Sequence, residues 1–307
     1  MFADATLPVC ALSPEDIVRE VKHLPAAPKV LPRLKRLLQD GNSAIHEIVE
    51  LVRLDPGLAA RVLQVANSAY FSKGVRCTTV DEAVNRVGYD QIYELVSFAV
   101  ASQVLVRPLE AYAVDADELW AMSVSCALAA EAIAGRTQQD RKAAYTIGLL
   151  HCVGMVALDE WSLRGEQKLH FTAGSFPREA IEQERATLGF TQAEVGAALL
   201  AHWEFPTTAS EPVRLQYAPR TSAVHLKMAS LLYVAKWVRS AVCAPTAASR
   251  PPLPEAIVLQ PLGLAPEAMR TIAAEVVRKL ADVSSLLDVE DEAAIDRRQF
   301  PAQSWQG

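Results

Sequence analysis

The stretch LVRLDPGLAARVLQVANSAYF, residues 51–71, decides the fold. Asp55 followed by Pro56 suits a helix start. The carboxylate can accept from free amides of the first turn, and proline fills the first helical position, where its missing N–H costs nothing. Leu58, Val62, Leu63 and Ala66 then recur at helical spacing and form one apolar face. Asn67, Ser68 and Tyr70 close the helix. Asn67 is suited to a left-handed conformation or to bridging backbone groups of the segment that follows. The block reads as a capped, half-buried helix that ends in a polar clasp.

The same grammar recurs along the chain. In SPEDIVREV, Ser13 caps, Pro14 takes the first helical position, and Glu15 and Asp16 favour the positive end of the helix dipole. TTVDEAVNRVG runs from a Thr cap to Gly88 as a C-terminal stop. Residues 91–106 and 117–134 continue as apolar helices. The second, LWAMSVSCALAAEAIA, is rich in Ala, Ser and Cys, so another helix can approach it closely. GLLHCVGMVALDEW (148–161) reads as one buried apolar helix with His151 and Cys152 set into it. FTQAEVGAALLAHW carries a capping box, Thr191 with Glu194. From Cys243 to about Pro266 the chain is rich in Pro and Ala and reads as a loop or partly extended connector. PEAMRTIAAEVVRKLADVSSLL returns to amphipathic helix, and from about Asp288 onward the polar chain reads as a frayed tail. Strand alternation is nearly absent and no internal repeat is found. The expected fold is all-α.

Composition bounds the function. The 307 residues are 51% hydrophobic and 7% aromatic, enough for a large core. Thirty basic against 36 acidic residues give a net charge of −6, and no basic run is long enough to track a phosphate backbone. Nucleic acid and anionic membrane are therefore poor partners. MFADATLPVC lacks the basic and apolar regions of a signal peptide, and apolar stretches such as Phe98–Val106 are too short to span a bilayer. Cys10, Cys77, Cys126, Cys152 and Cys243 are scattered without a CxxC pair, as expected of reduced thiols. A cytoplasmic protein without membrane insertion is expected.

With these blocks in view, the chain resembles the HDOD family, the HD-related output domains of bacterial signalling proteins. HLPAAPKVLPRLKRLL, with Pro25 and Pro28, is similar to the family's opening LPxLP motif. LVRLDPGLAARVLQVANSAYF resembles its DPxL and ANSAYY block almost position for position, and TTVDEAVNRVGYDQI its next helix. LW-x-x-S at 119–123, GLLH at 148–151, EVGAALLAHWEFP at 194–206 and LGLAPEAM at 262–269 follow in the expected order. The resemblance covers about residues 15–288. It implies a single all-helical domain between a tail at 1–14 and a flexible tail at 289–307. Within it, an N-terminal helical lobe (about 15–110) packs on an HD-type helical core (about 111–288) that carries the Pro-rich loop 244–261. Asp55, Pro56, Asn67, Ser68, Tyr70 and Gly88 are expected to act structurally, as caps, clasp and stop.

The resemblance also implies where a metal would sit in an HD phosphohydrolase, whose divalent ions are held by imidazole and carboxylate donors and activate water. Here the corresponding positions are Met122, the doublet His151-Cys152, Gln192, Gln216 and Tyr217, and Lys236. A thioether, amides and an ammonium are poor ligands for such ions, and one histidine with one thiol does not make a divalent site. No metal, cofactor or catalytic residue is expected. Lys236 either points into this degenerate pocket, where its charge would stand in for a metal, or lies at the surface with its stem packed. His151 is expected to be a hydrogen-bonded core histidine. His151 and Cys152 are adjacent on one helix and cannot face each other as a nucleophile pair. His202 and His225 are available as bases but nothing brings them near; His202 reads as a boundary residue, and His23, His46 and His170 as surface residues. Phosphate-binding loops and a nucleophile elbow are missing.

The expected function is a non-enzymatic bacterial regulator that binds other signalling proteins in trans, of sensor kinase, response regulator or diguanylate cyclase type. A two-component or cyclic-di-GMP circuit with motility or biofilm-type output is implied by the resemblance. A groove between the lobes and the loop 244–261 are the expected docking surfaces. The alternatives are a small-anion or nucleotide-binding module using His151, Gln192, Gln216 and Lys236, and a residual metal-dependent hydrolase.

Overall fold

The computed structural model describes residues 12–20, 45–68, 71–72, 74–88, 108–165, 168–172, 180–221, 223–244 and 249–287, with Val30, Arg33, Leu37, Ile92, Phe176 and Thr246. Pro25, Pro28, Tyr70, His23, Cys10, nearly all of the expected 91–106 helix and the C-terminal tail lie outside the described residues.

Among the described residues the regular structure is helical, apart from an isolated antiparallel bridge between Leu109 and Val114. The first helices are α1 (Pro14–Glu20), α2 (Ile45–Arg53), α3 (Pro56–Asn67) and α4 (Val80–Val87). The sequence signals at their ends work as chemistry predicts. Asp55 accepts from the Leu58 amide at 2.9 Å, Thr79 from the Glu82 amide at 3.1 Å, and Gly88 ends α4 at φ +85°. At the end of α3, the Asn67 side chain reaches ten residues ahead. Its carbonyl accepts from the Cys77 amide at 2.7 Å and its amide donates to the Cys77 carbonyl at 3.2 Å. Asn67 thus bridges the end of α3 to the backbone of Cys77, ahead of α4.

The larger lobe is built around α5 (Ala116–Thr137), flanked by α6 (Arg141–Leu150), α11 (Leu226–Val242) and α13 (Ala268–Leu287). By length and composition α5 would cross a membrane, yet 67% of its most apolar window is buried in the protein, so it is a core helix. Its small residues admit α6 closely: a Cβ on Gly148 would lie 2.8 Å from the Ala127 Cα. Then follow α7 (Val153–Arg164), α8 (Ile181–Leu188), α9 (Gln192–His202) and α10 (Thr207–Arg214). The crossing of α7 and α9 is tighter still. A Cβ on Gly154 would stand 1.8 Å from the Gln192 carbonyl oxygen, so only glycine permits this approach.

Two expectations are corrected. The stretch 148–161 is two helices, not one, broken at His151-Cys152 by the turn between α6 and α7. The break redirects the chain so that Gly154 can meet α9. The Pro-rich segment is not a plain connector either: it holds α12 (Ala256–Leu259) and a 3₁₀ turn (Gln260–Leu262), with Val258, Leu259 and Leu262 buried. The Trp237 indole fixes it further by donating to the Pro252 carbonyl at 2.6 Å.

The seam between the lobes runs along the end of α2. The Trp120 indole N–H donates to the Leu54 carbonyl at 3.1 Å and the Tyr145 hydroxyl to the Arg53 carbonyl at 3.0 Å. Lys142 reaches Asp81 at 3.4 Å, and Arg76 pairs with Glu204. Glu204 ends α9 in the left-handed conformation (φ +62°), where glycine is preferred. Its amide bonds the Ala201 carbonyl and that of Phe205 the Leu200 carbonyl, the paired bonds of a Schellman stop. Helix α1 packs on α7 and α9 of the larger lobe.

Candidate functional site

Of the positions singled out from the sequence, His151, Cys152, Gln192, Gln216 and Lys236 are buried, and Met122 and Tyr217 are half-buried. His151 caps the end of α6, 1% exposed. Its Nδ1 lies 2.7 Å from the Gly148 carbonyl oxygen and its Nε2 lies 3.2 Å from Nη1 of Arg239 on α11. A carbonyl only accepts, so Nδ1 carries the proton; a guanidinium only donates, so Nε2 presents its lone pair. The imidazole is neutral, with both nitrogens engaged. The break between α6 and α7 leaves the His151 carbonyl outside the helical ladder, because the Met155 amide bonds to Cys152 instead. Gln216 takes it up, donating to the His151 carbonyl at 3.0 Å and to that of Val213 at 2.9 Å.

Cys152 is buried, with Sγ 3.0 Å from the Ser123 Oγ. Ser123 gives its single proton to the Leu119 carbonyl, so the thiol is the donor to Ser123. Burial pushes the Cys152 thiol up, against the hydrogen bond with Ser123 and the pull of the Arg239 and Lys236 cations. Met122, one residue before Ser123, is a half-buried member of the apolar core.

Lys236 settles between its two sequence readings: it is fully buried, so the surface reading is overturned. Its Nζ sits 3.2 Å from the centroid of the Tyr217 ring, a cation–π contact, and the Tyr217 hydroxyl accepts from Nε2 of Gln192 at 2.8 Å. The Gln192 backbone is fixed in turn by Glu184, a buried carboxylate that accepts from the Gln192 amide at 2.7 Å and from the Tyr112 hydroxyl at 2.9 Å. The Thr191–Glu194 capping box holds the same end of α9. His46, His170 and His202 are exposed.

Sequence reasoning missed Arg239, Ser123 and Glu184. For Arg239 a signal existed. It stands three residues after Lys236 on a mostly apolar helix, hence on the same face. Ser123 closes the LW-x-x-S block with no role assigned to it, and Glu184 carried no mark.

The residues present do not fit the divalent ions of HD phosphohydrolases. A metal needs an imidazole lone pair, and the one at Nε2 is taken by Arg239, while Lys236 and Arg239 bring two positive charges into the same core. Among the described residues no three His, Cys, Asp or Glu side chains gather as a ligand set.

Comparison with known proteins places this architecture. The model of the HDOD domain matches residues 24–219. The chain is 26% identical over 207 residues to a protein of Treponema pallidum (strain Nichols), a match that takes in 66% of this chain and only 39% of that longer relative. The crystal structure of the MmoQ response regulator from Methylococcus capsulatus superposes with a TM-score of 0.62 at 23% identity, covering 83% of this chain and 99% of that one. A virulence factor from Campylobacter jejuni gives 0.61 at 15% identity, covering 89% and 92%. At these identities the two structures are similar to this chain in fold.

Proposed function

The chain belongs to the HDOD family, and from that premise we propose that it is a non-enzymatic signalling protein that acts by binding other proteins. The observation that carries the reading is the Arg239–His151 pair: the one imidazole left at the degenerate metal position spends its lone pair on a guanidinium. A site built this way serves as packed core, and the function then falls to surfaces. The name of the MmoQ structure, a response regulator, supports a place in signal transduction. Its partners would be signalling proteins in trans, of sensor kinase, response regulator or diguanylate cyclase type, in a two-component or cyclic-di-GMP circuit of the cytoplasm with motility or biofilm-type output. Leu253 and Ile257, exposed on the otherwise pinned Pro-rich segment, suit such a contact.

Two measurements on the purified chain test the absence of catalysis. Metal analysis after purification without chelators is expected to find far less than one Mn, Fe or Zn per chain. Hydrolysis of bis(p-nitrophenyl) phosphate with added Mn²⁺ is expected to stay at background. Near-stoichiometric metal with turnover that is lost in His151→Ala would overturn the reading.

One observation favours a second reading, a small-anion or nucleotide module: Lys236 and Arg239 are both buried in one cluster with Gln192 and Gln216. A thermal shift with millimolar nucleotides or cyclic dinucleotides, absent in Lys236→Met, would support it. No shift in the parent chain would remove it.

A further inference from the structure

Helix α1 is placed unlike its neighbours in the chain. Helices α2, α3 and α4 pack on one another, and α3 and α4 rest on α6, whereas α1 lies across α7 and α9. It has seven residues, two turns, too few to hold a helix by themselves in water. What holds it is small in extent. Ile17 and Val18 are its buried side chains, and Nη1 of Arg164, at the end of α7, donates to the Glu20 carbonyl at 2.8 Å. Ser13 and Asp16 close the other end reciprocally, the Asp16 carboxylate accepting from the Ser13 amide and hydroxyl. By contrast α5 buries twelve side chains.

The seat beneath α1 is built from parts that do not depend on it. Helices α7 and α9 are locked together by the Gly154 approach, and α9 is anchored by its capping box and by Glu184. A rigid pair of helices that receives a short amphipathic helix, with an arginine waiting at its C-terminal carbonyls, is a helix-in-groove dock. Helix α1 belongs to the same chain as its seat, so a partner helix must compete with an intramolecular ligand.

We propose that α1 is a displaceable strap, and that the face of α7 and α9 it covers is a docking site for a short amphipathic helix of a partner protein. The partner helix has the chemistry seated there now: an acidic, self-capped first turn, two adjacent apolar side chains, and a C-terminal carbonyl left for Arg164. The strap and the partner exclude each other, so the free chain is closed to this partner until α1 lifts. The inference rests on packing and stands whether or not the chain hydrolyses a phosphate ester.

The test uses the full chain and a labelled peptide of residues 12–22, LSPEDIVREVK. The double variant Ile17→Asp/Val18→Asp disables the strap and leaves the seat intact. Fluorescence anisotropy is expected to show the peptide binding the variant at least tenfold more tightly than the parent chain, and Arg164→Ala in the variant is expected to weaken that binding. Equal binding to both chains, or none to a variant that keeps its helical circular dichroism, overturns the proposal. Hydrogen exchange on the parent chain decides independently of any variant: α1 amides are expected to exchange at least a hundredfold faster than those of α5. Protection of α1 equal to that of α5 means that it opens only on global unfolding, and it would sink the strap. A wild-type dimer that Ile17→Asp/Val18→Asp abolishes would assign the seat to a second copy of the chain and overturn the partner assignment.

Discussion

The clasp at Asn67 and the cluster at His151 are both buried and polar, yet their partners lie at opposite distances along the chain. Asn67 bonds the backbone of Cys77, ten residues away, through both its amide nitrogen and its amide oxygen. His151 is held through a carbonyl three residues back, by Gln216 65 residues on and by Arg239 88 residues on. Backbone groups are the same whatever the sequence, so a local clasp needs one residue to be right. A cluster of side chains from distant helices needs several to be right together.

The harshest test of that contrast is the packing under the cluster. Gly154→Ala drives a methyl into the Gln192 carbonyl, and since α7 and α9 must separate, the loss is expected to exceed the ~1–3 kcal/mol of ordinary overpacking. Chemical denaturation measures it, and a loss below about 1 kcal/mol would show the crossing to be soft. Next comes Asn67→Ala, which strands the buried Cys77 amide and carbonyl at a cost of about 3 kcal/mol. Arg239→Met leaves the His151 lone pair unsatisfied and is expected to cost about 2 kcal/mol. Paired with His151→Phe in a double-mutant cycle, it should show a coupling of about 1 kcal/mol, and simple additivity would mean that the two side chains are not a unit. The smallest effect belongs to the most local device: Asp55→Ala removes a cap and costs about 1 kcal/mol.

The same contrast explains what the sequence could tell. The caps at Asp55 and Thr79, the stop at Gly88 and the capping box at Thr191 were legible because each is written within four residues of its partner. The close approach of a helix to α5 followed from its small side chains. The break at His151-Cys152 was not legible, because apolar residues continue through it and its cause, the meeting of Gly154 with α9, lies some forty residues downstream. The burial of Lys236 was open for a related reason. A lysine on an apolar helix goes inward only if an aromatic face such as Tyr217 is brought to it, and that is a fact of tertiary structure. The Pro-rich segment misled through composition: its prolines hide the short run in which Val258 and Leu259 face the core.

The seam along α2 has a consequence for how the molecule comes apart. The last carbonyls of a helix have no partner within it, and here Arg53 and the adjoining Leu54 find theirs in the phenol of Tyr145 and the indole of Trp120, on the other lobe. Pulling the lobes apart would bare those carbonyls together with two aromatic donors that are buried while the lobes are joined, so neither lobe is complete without the other. The two lobes therefore melt together. Calorimetry is expected to give one transition with equal calorimetric and van't Hoff enthalpies.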